Sequence, residues 1–245
     1  MEYIASTIVL ILTLGVFSQG KAKREIERKL RQRLGRVEDV RVHISSSPFK
    51  ILTGQIDKIQ IEAYNFKVDG FPVSCLQITL HKLKVNPLKV AFKRKVRLKS
   101  IGEARGTFII REEDLSRYLQ ARGSLVEDLR VKLLPGRFIL VGRIKTFLIS
   151  PSFGIEGKLK VVRRSQIVLE IPRAQISIIP IPRLLIQPLL ALINPIFDLE
   201  ELSEFSSFWA DLEEISDYSL PFKLVSFQIK DKTLVIEGRA ELQKP

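Results

Sequence analysis

From Val40 onward, apolar and polar residues alternate with a period of two, the signature of strands that bury one face. Ile59 and Ile61 alternate with Lys58 and Gln60, and Ile78 and Leu80 with Thr79 and His81. Val96 and Leu98 alternate with Lys95, Arg97 and Lys99. Phe108 and Ile110, Phe138 and Leu140, then Ile167, Leu169 and Ile171 continue the pattern. One polar face, with links too short for helical crossovers, predicts antiparallel pairing.

Two stretches repeat each other without a gap: LRVKLLPGRFILVGR from Leu129 to Arg143, and VSFQIKDKTLVIEGR from Val225 to Arg239. Leu129, Val131, Leu133, Phe138 and Leu140 fall on Val225, Phe227, Ile229, Leu234 and Ile236, and Gly142 falls on Gly238. Each reads as a hairpin, turning at Pro135-Gly136 or at Asp231-Lys232. A glycine fixed in the second strand predicts a bend or a close approach.

Helical spacing enters at four places. Lys21 to Leu34 carries Ala22, Ile26, Leu30 and Leu34 as a narrow stripe among seven Lys and Arg, which suits either an anionic membrane surface or packing on the domain. Glu112 to Arg122 has an acidic first turn, a basic last turn and Gly123 as its stop, with Leu115, Tyr118 and Leu119 on the buried edge. Pro182 to Phe197 is apolar on nearly every side and too short to cross a bilayer, so it needs to be enclosed or to meet lipid. Residues 203–218 place Phe205, Phe208, Trp209, Leu212 and Ile215 on one side of an acidic helix.

The N-terminus changes the picture. No charged side chain occurs from Tyr3 to Gly20, a stretch that reads as a signal peptide or membrane anchor, with a buried N-terminal helix of a soluble protein as the alternative, since Glu2 and the basic run from Lys21 run against the usual charge order. Residues 1–20 are therefore expected to be a leader or anchor, and 21–245 a single domain.

Composition supports a folded chain with anionic partners. Of its 245 residues, 45% are hydrophobic, and the formal charge of +13 with a pI near 9.9 favours phospholipid headgroups, nucleic acid or acidic polymers. The single Cys75 excludes an internal disulfide framework. His43 and His81 stand alone among alternating strands, so no metal site is expected, and neither a nucleophile elbow nor a phosphate or dinucleotide loop is present. The 14 Phe occupy apolar phases rather than a basic stacking surface, which argues against nucleic acid. No cofactor and no catalytic residue are expected.

The ordered set LTGQIDKIQIEA (52–63), NPLKV (86–90), GEARGTFIIREEDLSRYL (102–119), the first hairpin, INPIFDLEEL (193–202) and LPFKLVSFQIKDKTLVIEG (220–238) resembles the LmeA-like phospholipid-binding family of bacteria. The resemblance covers roughly residues 20–241. It implies an α+β fold, a curved and mostly antiparallel sheet wrapped around apolar helices, similar to tubular lipid-binding proteins. It also implies phospholipid as the partner and a non-catalytic role in the cell envelope, outside the cytoplasm. The family pattern brings the elements on either side of 203–219 close together, so that acidic amphipathic segment reads as an insertion.

The expected lipid groove comprises Phe108, Ile110, Leu115, Leu119, Phe138, Leu140, Leu184, Leu185, Leu189, Leu190, Ile193 and Phe197. The expected headgroup or membrane contacts are Lys21, Lys23, Arg24, Arg28, Lys93, Lys95, Arg97 and Lys99. Three other readings stay open: a membrane-surface protein without a pocket, a nucleic-acid binder, and an enzyme of lipid or glycan modification.

Overall fold

The computed structural model describes residues 24, 27–28, 30–31, 36–85, 98–122, 126–145, 152–170, 190–191, 193–202 and 222–240. In chain order its elements are β1 (Asp39–Ser45), α1 (Pro48–Leu52), β2 (Gln55–Val68), β3 (Phe71–Val85), β4 (Leu98–Ser100) and β5 (Glu103–Arg111). Then come α2 (Glu112–Arg122), β6 (Val126–Leu134), β7 (Arg137–Ile144), β8 (Ser152–Val162), β9 (Gln166–Glu170), β10 (Phe197–Asp198), β11 (Phe222–Lys230) and β12 (Thr233–Ala240). Strands dominate, and every described ladder is antiparallel.

They form two sheets. The first runs β1-β2-β3-β5-β12-β11 with β4 on the end of β3, and the second runs β10-β9-β8-β7-β6. Each sheet thus ends in one of the two repeated hairpins. The correspondence extends beyond the repeated letters: β6 and β11 have nine residues each, β7 and β12 eight each, and residue n of the first hairpin matches n + 96 of the second. Leu133 faces Phe138 as Ile229 faces Leu234, and Glu127 faces Arg143 as Lys223 faces Arg239, with a register shift at the same place in both.

The equivalent turn residues join the sheets reciprocally. The Lys232 amide donates to the Leu133 carbonyl (3.2 Å), and the Gly136 amide donates to the Ile229 carbonyl (3.5 Å). Since Leu133 corresponds to Ile229 and Gly136 to Lys232, the two bonds are related by a local twofold. Both turn residues adopt left-handed backbone, Gly136 at φ 71 and Lys232 at φ 56.

Helix α2 closes the exposed edge of β6. Ser116 Oγ accepts from the Val131 amide (2.9 Å) and Glu112 Oε2 from the Leu133 amide (2.6 Å), replacing the ladder a further strand would supply. The helix packs on β3, β5 and β6, so it spans both sheets, and its Leu115 and Leu119 are buried. At the far edge of the first sheet, Glu27 Oε1 accepts from the Val42 amide of β1 (3.3 Å). Arg31 reaches Asp39 (3.0 Å), and Leu30 is buried in the core. The described part of the basic N-terminal helix, at residues 24, 27–28 and 30–31, therefore packs on the domain through Leu30.

The core lies between the sheets. A row of rings crosses it: Tyr118 on α2 meets Phe71 on β3 (4.9 Å), Phe71 meets Phe197 on β10 (5.4 Å), and Phe197 meets Phe108 on β5 (5.4 Å). Such edge and tilted contacts add about 0.5–1.5 kcal/mol each beyond area burial.

One expected element ends early. The apolar helix predicted to run to Phe197 is helical at 190–191 and 193, and then gives way to strand at Phe197–Asp198. Pro195 ends the helix, since it has no amide to donate and disfavours helical backbone at Asn194. The Asn194 side chain secures the turn: its Oδ1 accepts from the Leu169 amide (2.8 Å) and its Nδ2 donates to the Leu169 carbonyl (3.1 Å). The side chain thus pairs with β9 as a strand residue would and starts β10 beside it. The sequence reading also passed over α1, which Ser47 caps by accepting from the Lys50 amide, with Pro48 opening the helix.

Candidate functional site

The groove residues expected from sequence are brought together wherever they are described. Phe108, Ile110, Leu115, Leu119, Phe138, Leu140, Ile193 and Phe197 belong to one cluster, each no more than about 1% exposed, and Leu190 packs against it half-buried. Leu184, Leu185 and Leu189 lie outside the described residues. The cluster draws on β5, α2, β7 and β10, so both sheets and the bridging helix contribute. Its members are covered by one another.

Of the expected headgroup contacts, Arg24 and Arg28 are exposed on the N-terminal helix. Lys21, Lys23, Lys93, Lys95 and Arg97 lie outside the described residues, as does the Lys99 side chain. The leader or anchor segment 1–20 and the acidic segment 203–219 lie outside them too.

A different basic site emerges at the tip of the β2–β3 hairpin. The left-handed backbone of Asn65 (φ 49) resets the alternation of β2, so burial falls on Ile59, Ile61 and Ala63 before it and on Phe66 and Val68 after it. Asn65 and Lys67 are thereby left exposed. Arg36, in the segment before β1, lines the same cavity as Lys67. Arg111 ends β5 next to Val73, where the β3–β5 register Cys75↔Ile109 carries it.

Ser74 ties this corner together: its Oγ accepts from the Arg111 amide (3.1 Å) and donates to Asp114 Oδ2 (3.0 Å). Arg117 binds the other Asp114 oxygen (2.6 Å). These groups surround a half-open cavity of about 630 Å³. Arg36, Lys67, Arg111 and Arg117 supply its charge, Asp114 and Asn65 its remaining polar groups, and Phe66, Pro72 and Val73 its apolar wall. Asn65 donates to Glu38 at the rim. The sequence reading missed this site because its cations come from β2, β5, α2 and the segment before β1, which only the fold brings together.

Cys75 is buried on β3, where burial first and the Glu62 charge second push its thiol above the ordinary range. His81 lies further along the same strand opposite Lys58 and Glu103, and His43 is exposed on β1. Among the described residues, no group of three His, Cys, Asp or Glu could hold a metal ion.

A family model described as LmeA-like phospholipid-binding matches residues 20–239, nearly the whole chain. No curated protein and no solved structure matches it.

Proposed function

The chain belongs to the LmeA-like phospholipid-binding family, and from that premise we propose that it binds a phospholipid without transforming it, as a carrier or membrane-associated accessory of the bacterial cell envelope. The observation that carries the reading is the family match over 20–239. The apolar core between the sheets supports it, because it joins two surfaces through few backbone bonds and so offers a seam that acyl chains can enter. Each buried CH₂ contributes about 0.8 kcal/mol, so part of one chain offsets a sizeable opening cost. Phe108, Phe138, Phe197 and the α2 residues Leu115 and Leu119 are the proposed acyl contacts, with the sheets curving around the apolar helices. The uncharged stretch 3–20 is proposed to direct the chain to or through the membrane, and the surplus charge to favour anionic membrane over nucleic acid.

Organic extraction of the purified chain followed by mass spectrometry tests the lipid directly. Co-purifying phospholipid, or uptake of a fluorescent phospholipid, is the expected result. A cytoplasmic reading from a reporter fused after residue 20 would remove the envelope assignment.

The closed packing of the described groove residues favours one alternative, a membrane-surface protein that holds no lipid inside. That alternative predicts binding to vesicles with neither extraction nor uptake of single lipid molecules.

A further inference from the structure

We propose that the cavity at the tip of the β2–β3 hairpin is a phosphoryl-binding site, taking the phosphate of an anionic lipid headgroup or of a free phosphate ester. The inference rests on the lipid-binding reading for its preferred ligand, but its geometry stands apart from the apolar core. Four cationic side chains, Arg36, Lys67, Arg111 and Arg117, converge there against one lining carboxylate, Asp114. Asp114 is already engaged by Arg117 and Ser74. None of the ion pairs among the described residues involves Arg36, Lys67 or Arg111.

Like charges gathered at one cavity repel, and holding Arg36, Lys67 and Arg111 together costs free energy that a bound anion removes. Two guanidinium groups provide planar donor forks that match phosphate oxygens, and the lysine adds a compact charge. Phe66, Pro72 and Val73 exclude water from one side, which strengthens each contact. The Ser74 hydroxyl fixes the Arg111 backbone and Asp114 together, so the β5–α2 corner presents Arg111 and Arg117 from a rigid base. At about 630 Å³ the cavity has room for a phosphate bearing a small polyol.

The test uses the full-length chain, a Lys67→Gln/Arg111→Gln variant, and a control Lys132→Gln/Lys158→Gln variant that removes equal charge from exposed strand positions elsewhere. Binding is measured to phosphatidylcholine vesicles, to the same vesicles containing phosphatidylglycerol, and to soluble glycerol phosphate and inorganic phosphate. The expected result is that the unmodified chain prefers the anionic vesicles and that the pocket variant loses this preference about ten-fold or more. Neutral-lipid uptake and the unfolding midpoint stay unchanged, and the control variant keeps its preference.

Competition by glycerol phosphate against the anionic vesicles would identify the headgroup as the source. If the unmodified chain takes up no lipid but binds glycerol phosphate or inorganic phosphate through Lys67 and Arg111, the lipid reading fails and the phosphoryl site stands. A pocket variant that keeps its anionic preference, or a control variant that loses as much, overturns the site.

Discussion

The Phe222 ring lies across Gly238 with no room for a methyl group: a Cβ on that glycine would come within 2.5 Å of the ring's Cζ. Gly238 faces Gly106 in the neighbouring strand, and a Cβ on Gly106 would come within 2.8 Å of the same atom. Two facing glycines thus make a trough in the sheet that a single aromatic ring fills. Gly142, the counterpart of Gly238, lies 3.0 Å in the same sense from Val126, the counterpart of Phe222.

Gly238→Ala should therefore destabilise the fold by about 1–3 kcal/mol through overpacking. In a Phe222→Leu background the same change should cost clearly less, because the obstructing ring is gone. Urea unfolding of the four proteins measures the coupling. Equal costs in both backgrounds would show that the ring is not what excludes the methyl group.

Ser116→Ala should cost about 1–3 kcal/mol, since it leaves the Val131 amide without its acceptor in a half-buried setting. Hydrogen exchange should accelerate at Val131 ahead of the paired centre of the sheet. Protection at Val131 equal to that of the unmodified protein would sink the edge-closing role of α2.

The two hairpin turns make the same left-handed demand on matched positions and meet it with different residues. Gly136→Ala should destabilise by about 1 kcal/mol, for backbone reasons alone, because open space surrounds the new methyl group. Lys232→Gly should be neutral or stabilising, since glycine enters the left-handed region that lysine occupies at a cost. Thermal midpoints of the two variants decide the matter, and shifts of the same sign would contradict it.

The Cys75 thiol should resist alkylation in the folded protein and react at an ordinary rate in urea. Burial first and the Glu62 charge second disfavour its thiolate, so its folded titration lies above the unfolded one. Stability from keeping the thiol neutral is complete below the unfolded thiol's range and is lost as pH rises toward the folded value. Cys75→Ala should flatten the alkaline end of the stability curve. An unchanged alkaline decline would assign that decline to other groups.

Local chemistry made parts of this molecule legible in sequence. The acidic first turn Glu112, Glu113 and Asp114 and the basic Arg122 bound α2 as expected, because helix ends are set by nearby charge and capping. The hairpins were legible because turn residues and period-two alternation act over a few residues. Asn194 was not, since its pairing with Leu169 depends on a strand brought in from elsewhere. The same holds for the basic cavity: Arg36, Lys67 and Arg111 are ordinary surface charges in sequence, and only the tertiary fold brings them to one cavity. The described groove candidates share one buried cluster, because hydrophobicity reports that a residue is buried but not whether a guest shares its space.

The reciprocal bonds across the hairpin turns need nothing that a single hairpin lacks, because each bond has a twin. A polypeptide half this long could make the same joint by meeting an identical neighbour. The two hairpins have the form of such a self-complementary pair held within one molecule, one backed by a helix along its edge and the other by a ring over its glycines.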